Sequence, residues 1–400
     1  MEVRCCIAGG GPAGMVLGFL LARAGISVAV LEKHKDFLRD FRGDTIHPST
    51  LELMYELGIL DDFLRRPHQV LPQIGVQIED FQTTVADFTH LPTHCKFIAL
   101  MPQWDFLNFI AEKAGLCPGF QLRMEYEVTD LIQENGRVAG VRCNTPEGVL
   151  EVRADLTIGA DGRRSIVRRK AGLEVIDLGA PIDVLWMRLG RQPDDPEQTL
   201  GRVRAGTILV MLNRGDYWQC AYVIPKGGFD EIRTKGLASF QEDVVKVAPF
   251  LRESVEELKG WDDIKLLSVA VDRLRHWSRP GLLCIGDSAH AMSPVGGVGI
   301  NLAIQDAVAA ANLLALPLLR GPVNDAQLQG VQRRREFPTR MTQRLQIFAH
   351  QRVLGPTLGN ETRFTRLPLP FRLLKRFPLL RRIPARVFGL GFRPEHVTRA

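Results

Sequence analysis

The chain of 400 residues has only seven cysteines, and no two of them form a Cys-x-x-Cys pair or stand near histidines at a zinc-binding spacing. That excludes the common cysteine-built metal centres. It leaves Cys5, Cys6, Cys95, Cys117, Cys143, Cys220 and Cys284 as small core residues in a reducing compartment. No uninterrupted run of about 18 apolar residues occurs, so a transmembrane helix is not expected. The first glycine cluster starts at Gly9, which leaves no room for a cleaved signal peptide and predicts a cytoplasmic protein. There is no internal repeat, and the body is not basic. From Arg363 to Ala400 ten Lys or Arg face one acid, so of the net +6 the first 362 residues carry about −3. A nucleic-acid-binding body is thereby excluded. The tail mixes basic and apolar residues, as in Leu373-Leu374-Lys375-Arg376-Phe377. It reads either as a face packed on the body or as an interfacial segment touching a membrane. With 45% hydrophobic and 24% charged residues the chain is globular, and its length points to two domains.

The most informative stretch runs from Val3 to Glu32. A short apolar strand (Cys5 to Ala8) leads into Gly9-Gly10-Gly11-Pro12-Ala13-Gly14, a helix follows from about Met15 to Ala24, and Gly25 stops it. Val28 to Leu31 then reads as a buried parallel strand ending in Glu32 and Lys33. Gly9 permits the tight turn, Gly11 lets a pyrophosphate approach the backbone, and Gly14 lets helix and strand pack closely. Free N–H groups at the helix start would meet the phosphates. Glu32 would accept from a ribose 2′-OH and repel a 2′-phosphate, so FAD or NAD is expected here rather than NADP.

The remainder alternates between two kinds of patterning. Residues 1–68, 101–172 and 278–320 carry parallel-strand and helix signals, and are expected to form one discontinuous nucleotide-binding domain. Residues 69–100 and 173–277 alternate apolar and polar positions, as an inserted antiparallel substrate domain would. Residues 321–400 read as a C-terminal helical or irregular basic region. A helix is predicted over 49–57, a half-buried strand over 70–88, helices over 105–114, 163–171 and 238–251, and a long apolar helix from Leu302 to about Leu316.

Three stretches then stand together: Gly9 to Gly14, Asp161-Gly162, and Gly286-Asp287 with Pro294 and Gly296-Gly297. With Arg42, the Pro102-Gln103 step and Asn301 in order, they resemble the signature of class A flavin-dependent monooxygenases of the para-hydroxybenzoate hydroxylase type. The resemblance spans residues 3 to about 320. It implies an α/β fold: a Rossmann-like FAD-binding domain with a parallel, glutathione-reductase-like sheet, an inserted antiparallel β-sheet substrate domain and a C-terminal helical region. It also implies FAD as cofactor, with NADPH or NADH as a transient co-substrate that needs no Rossmann domain of its own.

On that resemblance the cofactor would be held by Gly9, Gly11, Pro12, Ala13, Gly14, Glu32, Lys33, Arg42, Gln103, Asp161, Gly286, Asp287, Pro294, Gly297, Gly299 and Asn301. Arg42 also reads as a surface loop charge, Gln103 as an ordinary helix-start residue, and Asp161 as a plain N-cap. His47, His290 and Tyr222 are candidates for a chemical role, with a structural role equally open for the histidines. Substrate-facing candidates are Trp186, Arg188, Met211, Tyr217 and Tyr222, whose period-two spacing also suits a packed sheet core. The activity implied is hydroxylation or epoxidation, through a C4a-hydroperoxyflavin, of an aromatic, polycyclic or other lipophilic substrate by O₂, in a monomer or homodimer. A prenyl-chain reductase or a flavin redox sensor is the alternative. The tryptophans of the halogenase Trp-x-Trp-x-Ile-Pro stretch are missing from Cys220-Ala221-Tyr222-Val223-Ile224-Pro225, which argues against halogenation.

Overall fold

The computed structural model of the protein describes residues 1–38, 45–197, 200–204, 206–358 and 366–398. The N-terminal apolar run forms strand β1 (Glu2–Ala8), the glycine turn feeds helix α1 (Pro12–Arg23), and strand β2 (Val28–Glu32) follows. Every residue of α1 from Ala13 to Ala22 is buried, which is why the helix is apolar nearly all round. Next come helix α2 (Pro48–Glu56), strands β3 (Gln73–Ile78) and β4 (Phe81–Asp87), helix α3 (Gln103–Gly115), and strands β5 (Phe120–Met124) and β6 (Gly148–Gly159). Strands β7 (Ile182–Gly190), β8 (Leu200–Arg204), β9 (Thr207–Asn213) and β10 (Tyr217–Pro225) precede helix α4 (Leu237–Val247). Strand β11 (Leu282–Cys284) returns to the first unit. Helices α5 (Val298–Arg320), α6 (Asp325–Ala349), α7 (Leu369–Arg376) and α8 (Arg382–Gly389) end the chain.

The first sheet has a parallel core in the order β11, β6, β1, β2, β5, to which Ser278–Arg279, Arg137–Thr145 and Glu127–Glu134 add antiparallel. Central parallel strands are covered on both faces, hence the unbroken Cys-Cys-Ile-Ala and Val-Ala-Val-Leu runs. Six of the seven cysteines are buried and all are unpaired thiols. The second sheet has, among the described residues, the order Lys265–Leu267, β7, β10, β9, β8, β3, β4. Its pairs are antiparallel except β8 with β3, which run parallel.

Several boundaries move from the sequence expectation. The 70–88 strand is a hairpin, turned at Glu79 with φ 51°. The segments Thr45–Ile46 and Gln69–Leu71 both pair with Ile98–Leu100 in a small separate sheet rather than joining the large one. The basic helix shrinks to Ile166–Lys170. Helix α5 starts at Val298, four residues earlier than the apolar run suggests. By length and composition alone it could cross a membrane, but 67% of that stretch is buried, packed against α1 and α6 as a core helix.

Candidate functional site

The nucleotide turn is built for close approach. Gly9 has φ 107°, and a Cβ there would overlap the Ala160 carbonyl at the end of β6; a Cβ on Gly14 would overlap the Gly9 carbonyl. Both glycines are therefore required by packing. Gly11 differs: its φ −74° and ψ −178° suit any residue, and a Cβ built on it meets nothing within 4 Å. It caps α1 with no side-chain partner, no acid in the first turn and Pro12 at the first helical position. The helix thus presents uncapped N–H groups and its positive pole to open space, which is an anion site. Glu32 braces this turn, with Oε2 accepting from Gly10 N at 3.0 Å and Oε1 from His34 N at 3.1 Å. Lys33 beside it is exposed.

Helix α5 repeats the device. Gly296 (φ 80°) and Gly297 (φ 62°) form its entry turn after Pro294, again with no side-chain cap and no acid in the first turn. Gly299 lies in that first turn. Asn301 fastens it: Oδ1 accepts from His47 N at 3.0 Å and Thr50 Oγ1 at 2.7 Å, while Nδ2 donates to Thr45 and Gly297 carbonyls. The two helices meet at Gly286 (φ 59°), where a Cβ would sit 3.1–3.2 Å from the Cβ atoms of Ala303 and Ala13. Asp287 follows, half-buried and 3.5 Å from the Arg163 guanidinium. Gln103 opens α3. Arg42 lies outside the described residues.

Asp161 lies just before the Ile166–Lys170 helix, whose N-cap is Ser165. It accepts from Ser165 Oγ at 2.5 Å and Val167 N at 3.1 Å, and burial pushes its carboxyl up against the pull of those bonds. It thus supports the Ser165 cap and the helix start from outside the N-cap position. His290 is buried with Nε2 donating to Asp306 Oδ2 at 2.5 Å and its ring 4.9 Å from Trp277. Asp306 also accepts from Gly286 N at 3.1 Å and from Arg335 Nε at 2.9 Å. Burial opposes the charge on Asp306, but His290 and Arg335 together hold its carboxyl below the usual range. His290 is thus a strut behind the Gly286-Asp287 turn.

His47 is fully buried, its Nδ1 donating to the Phe388 carbonyl of α8 at 2.6 Å. Burial pulls it down to about 4, with the Phe388 bond opposing. It is neutral at pH 7 and acts as a clasp rather than a proton carrier. Tyr222 is likewise corrected. It is buried under α4, edge-on to Phe240 at 5.1 Å, and burial pushes its phenol up to about 12.

The substrate candidates divide by face. Met211 and Tyr222 share one side of the second sheet with Leu185, Leu209 and Cys220, sealed by Phe240 and Val244 of α4. Trp186 lies on the other side with Val184, Ala221, Val223, Val203 and Val210, and this side packs on Val295, the residue after Pro294. Register aligns Trp186, Ala221, Val210, Gly201 and Val76 in one row across five strands. Arg188 and Tyr217 stack on each other at 4.0 Å, with the Arg188 side chain 62% exposed beside Asp216. A cavity of about 110 Å³ lies between α5, α6 and the Val387–Pro394 segment, lined by Leu302, Gln305, Leu345, Phe388 and Phe392 among others. Phe388 seats on Gly296, where a Cβ would be 2.7 Å from its ring.

Residues 2–345 match the family model described as FAD binding domain. The chain is also 33% identical over 391 residues to 6-methylpretetramide 4-monooxygenase of Streptomyces rimosus, covering 96% of this chain and 91% of that protein. The chain belongs to the class A flavin-dependent monooxygenases. Two solved structures share the fold. One is p-nitrophenol 4-monooxygenase from Pseudomonas putida, with TM-score 0.78, 19% identity and 97% and 98% of the two chains covered. The other is anhydrotetracycline hydroxylase from Streptomyces rimosus, with TM-score 0.77, 21% identity and 100% and 78% covered.

The monooxygenase's glycine cradle fits its FAD. Gly11 leaves space that a Cβ would fill, two uncapped helix starts converge near Gly286, and Glu32 ends β2 where a ribose acceptor is needed. Sequence reasoning missed the Asp306, Arg335 and Glu395 network and the Thr45 and Thr50 partners of Asn301. An isolated acid in the apolar α5 was the available signal for Asp306, since a buried carboxylate requires partners.

Proposed function

We propose that this FAD-dependent monooxygenase hydroxylates a largely apolar, polycyclic phenol, drawing electrons from NADPH or NADH. The observation that carries the reading is the Trp186 face of the second sheet. It is apolar across Val184, Ala221, Val223, Val210 and Val203 and opposes Val295 at the α5 entry turn, while the charge in the Trp186 row, Lys265, stands on the edge strand. The 33% identity to an enzyme named for a tetracyclic substrate supports the same class.

FAD bound in the cradle would supply electron acceptance from the nicotinamide and activation of O₂. Gly9, Gly11, Pro12, Ala13 and Gly14 would hold its pyrophosphate through backbone amides and Glu32 its adenosine ribose. Gln103, Arg42 and Asp287 are the polar side chains proposed for the remainder, and Asp161 supports the adjoining turn. The uncapped amides of Gly299 and its neighbours at α5 would offer a positive pole to negative charge on the reduced cofactor. Asn301 holds that pole in position, and Gly297 and Pro294 shape its turn. The Trp186 face excludes water from the reacting substrate. The substrate's own phenol would supply the electron-rich ring.

The test is the dependence of NAD(P)H oxidation on added ligand. Polycyclic phenols should accelerate it at least tenfold while monocyclic hydroxybenzoates do not. Acceleration by small acids alone would contradict the substrate class, and acceleration without oxygen uptake would favour a reductase.

A further inference from the structure

We infer that the α7–α8 arm is a docking surface for an anionic lipid bilayer. Leu369 and Leu373 stand one turn apart on α7, Phe377 follows at its C-terminal end, and all three are exposed. Leu379, Leu380 and Ile383 continue the patch, and the six are between 37% and 68% exposed. The arm is not loose. Its other side packs on β4, and Ala385 and Phe388 join a cluster with Ala86, Phe88 and Ile98. A held element with six exposed large apolar side chains in about fifteen residues is not an ordinary soluble surface.

The charges name the occupant. Between Leu369 and Gly389 stand Arg372, Lys375, Arg376, Arg381, Arg382 and Arg386, and no acid. Arg372, Lys375, Arg382 and Arg386 form no ion pair with any described residue, and Arg376 lies only over the adjacent Phe377 ring. Apolar side chains flanked by long cations are what a lipid headgroup layer accepts, since the aliphatic stems lie along the acyl boundary and the charges reach the phosphates. A second copy fits worse, because a two-fold contact through this patch would set six cations against six. The body, at about −3, would not repel the chain from such a surface as a strongly acidic protein would. Phe388 ties the arm to Gly296, so the docked face is continuous with the element that roofs the α5 entry turn. The inference does not depend on the substrate assignment, and its test uses no substrate.

FAD-loaded full-length protein is sedimented with vesicles of phosphatidylglycerol and phosphatidylcholine, or of phosphatidylcholine alone. Binding to the anionic vesicles only, weakened by 0.5 M NaCl, is expected. Each cation near such a surface is worth roughly fivefold in binding, so Arg372→Glu/Lys375→Glu should weaken binding about twentyfold or more. Leu373→Glu/Phe377→Glu should do the same through the apolar term. Both variants should keep full flavin content and NAD(P)H oxidase activity, since neither pair lines the cradle. Failure of the wild type to pellet with anionic vesicles overturns the inference, as does equal pelleting of both variants. A dimer by light scattering that the variants dissolve, without vesicle binding, would assign the patch to subunit contact instead.

Discussion

Gly11→Val separates flavin binding from folding. At Gly11 the backbone is extended, with φ −74°, so valine incurs no left-handed strain, and no atom lies within 4 Å of the added Cβ. The apoprotein should therefore unfold in urea at the wild-type midpoint, within about 0.5 kcal/mol. The isopropyl group would, however, stand over the uncapped amides at the start of α1. Two charge-assisted hydrogen bonds to a phosphate, at roughly 1.5–3 kcal/mol each, would be lost or lengthened. That corresponds to roughly 3–6 kcal/mol, or on the order of a hundredfold to ten-thousandfold in FAD affinity. The assay is titration of apoprotein with FAD, followed by flavin fluorescence quenching, beside a urea melt of the same preparation. Gly14→Ala is the contrast: its Cβ overlaps the Gly9 carbonyl, so stability and affinity should fall together. A Gly11→Val protein with wild-type FAD affinity would refute the assignment of this turn, and one that is unfolded would refute the packing argument.

Asp306→Asn leaves Arg335 and His290 buried with a neutral partner, which should cost about 3–5 kcal/mol of unfolding free energy by urea denaturation. A change below 1 kcal/mol would contradict the strut role. His47 sits at about 4 when folded against 6.5 when unfolded, so the folded state binds fewer protons between these values. Its contribution is present above pH 6.5 and lost as pH falls toward 4. From pH 7.5 to 4.5 stability should drop by about 2.5 kcal/mol from this group alone. His47→Gln, measured over the same range, should lack that part of the slope. Trp186→Ala should lower kcat/KM at least tenfold, about 1.4 kcal/mol, while Tyr222→Phe, changed on the sealed face, stays within twofold; the reverse order would show that the substrate face is misassigned.

How much of this was legible beforehand follows from what each signal encodes. The glycines at 9 and 14 and the turn at 296–297 were readable because backbone conformation and close packing leave few alternatives to glycine, whereas Gly11 was readable only from its place in the Gly-x-Gly-x-x-Gly pattern. The presence of a parallel sheet and a mainly antiparallel one was readable from the change between continuous apolar runs and alternation. Period two reports which strand residues share a face, yet both faces of β7, β9 and β10 are apolar, one against α4 and one against Val295. Nothing local in Tyr222 or Met211 says which side they take. Asp161 was ambiguous for a related reason, since a carboxylate at a strand end can face a ligand or the next helix, and Ser165 four residues on decided its contacts. The Asp306, Arg335 and Glu395 network joins residues up to 89 positions apart, and distance in sequence hides such pairs. The exposure of the arm's apolar stripe needed the fold, because β4 takes up one side of α7 and leaves the other uncovered.

The account rests most directly on oxygen transfer. FAD-loaded protein with NADPH or NADH, a polycyclic phenol and ¹⁸O₂ should consume nicotinamide and oxygen in equal amounts and yield a product carrying one ¹⁸O atom. Nicotinamide oxidation with a reduced, unlabelled product, or with peroxide as the sole fate of oxygen for every phenol tried, would contradict it.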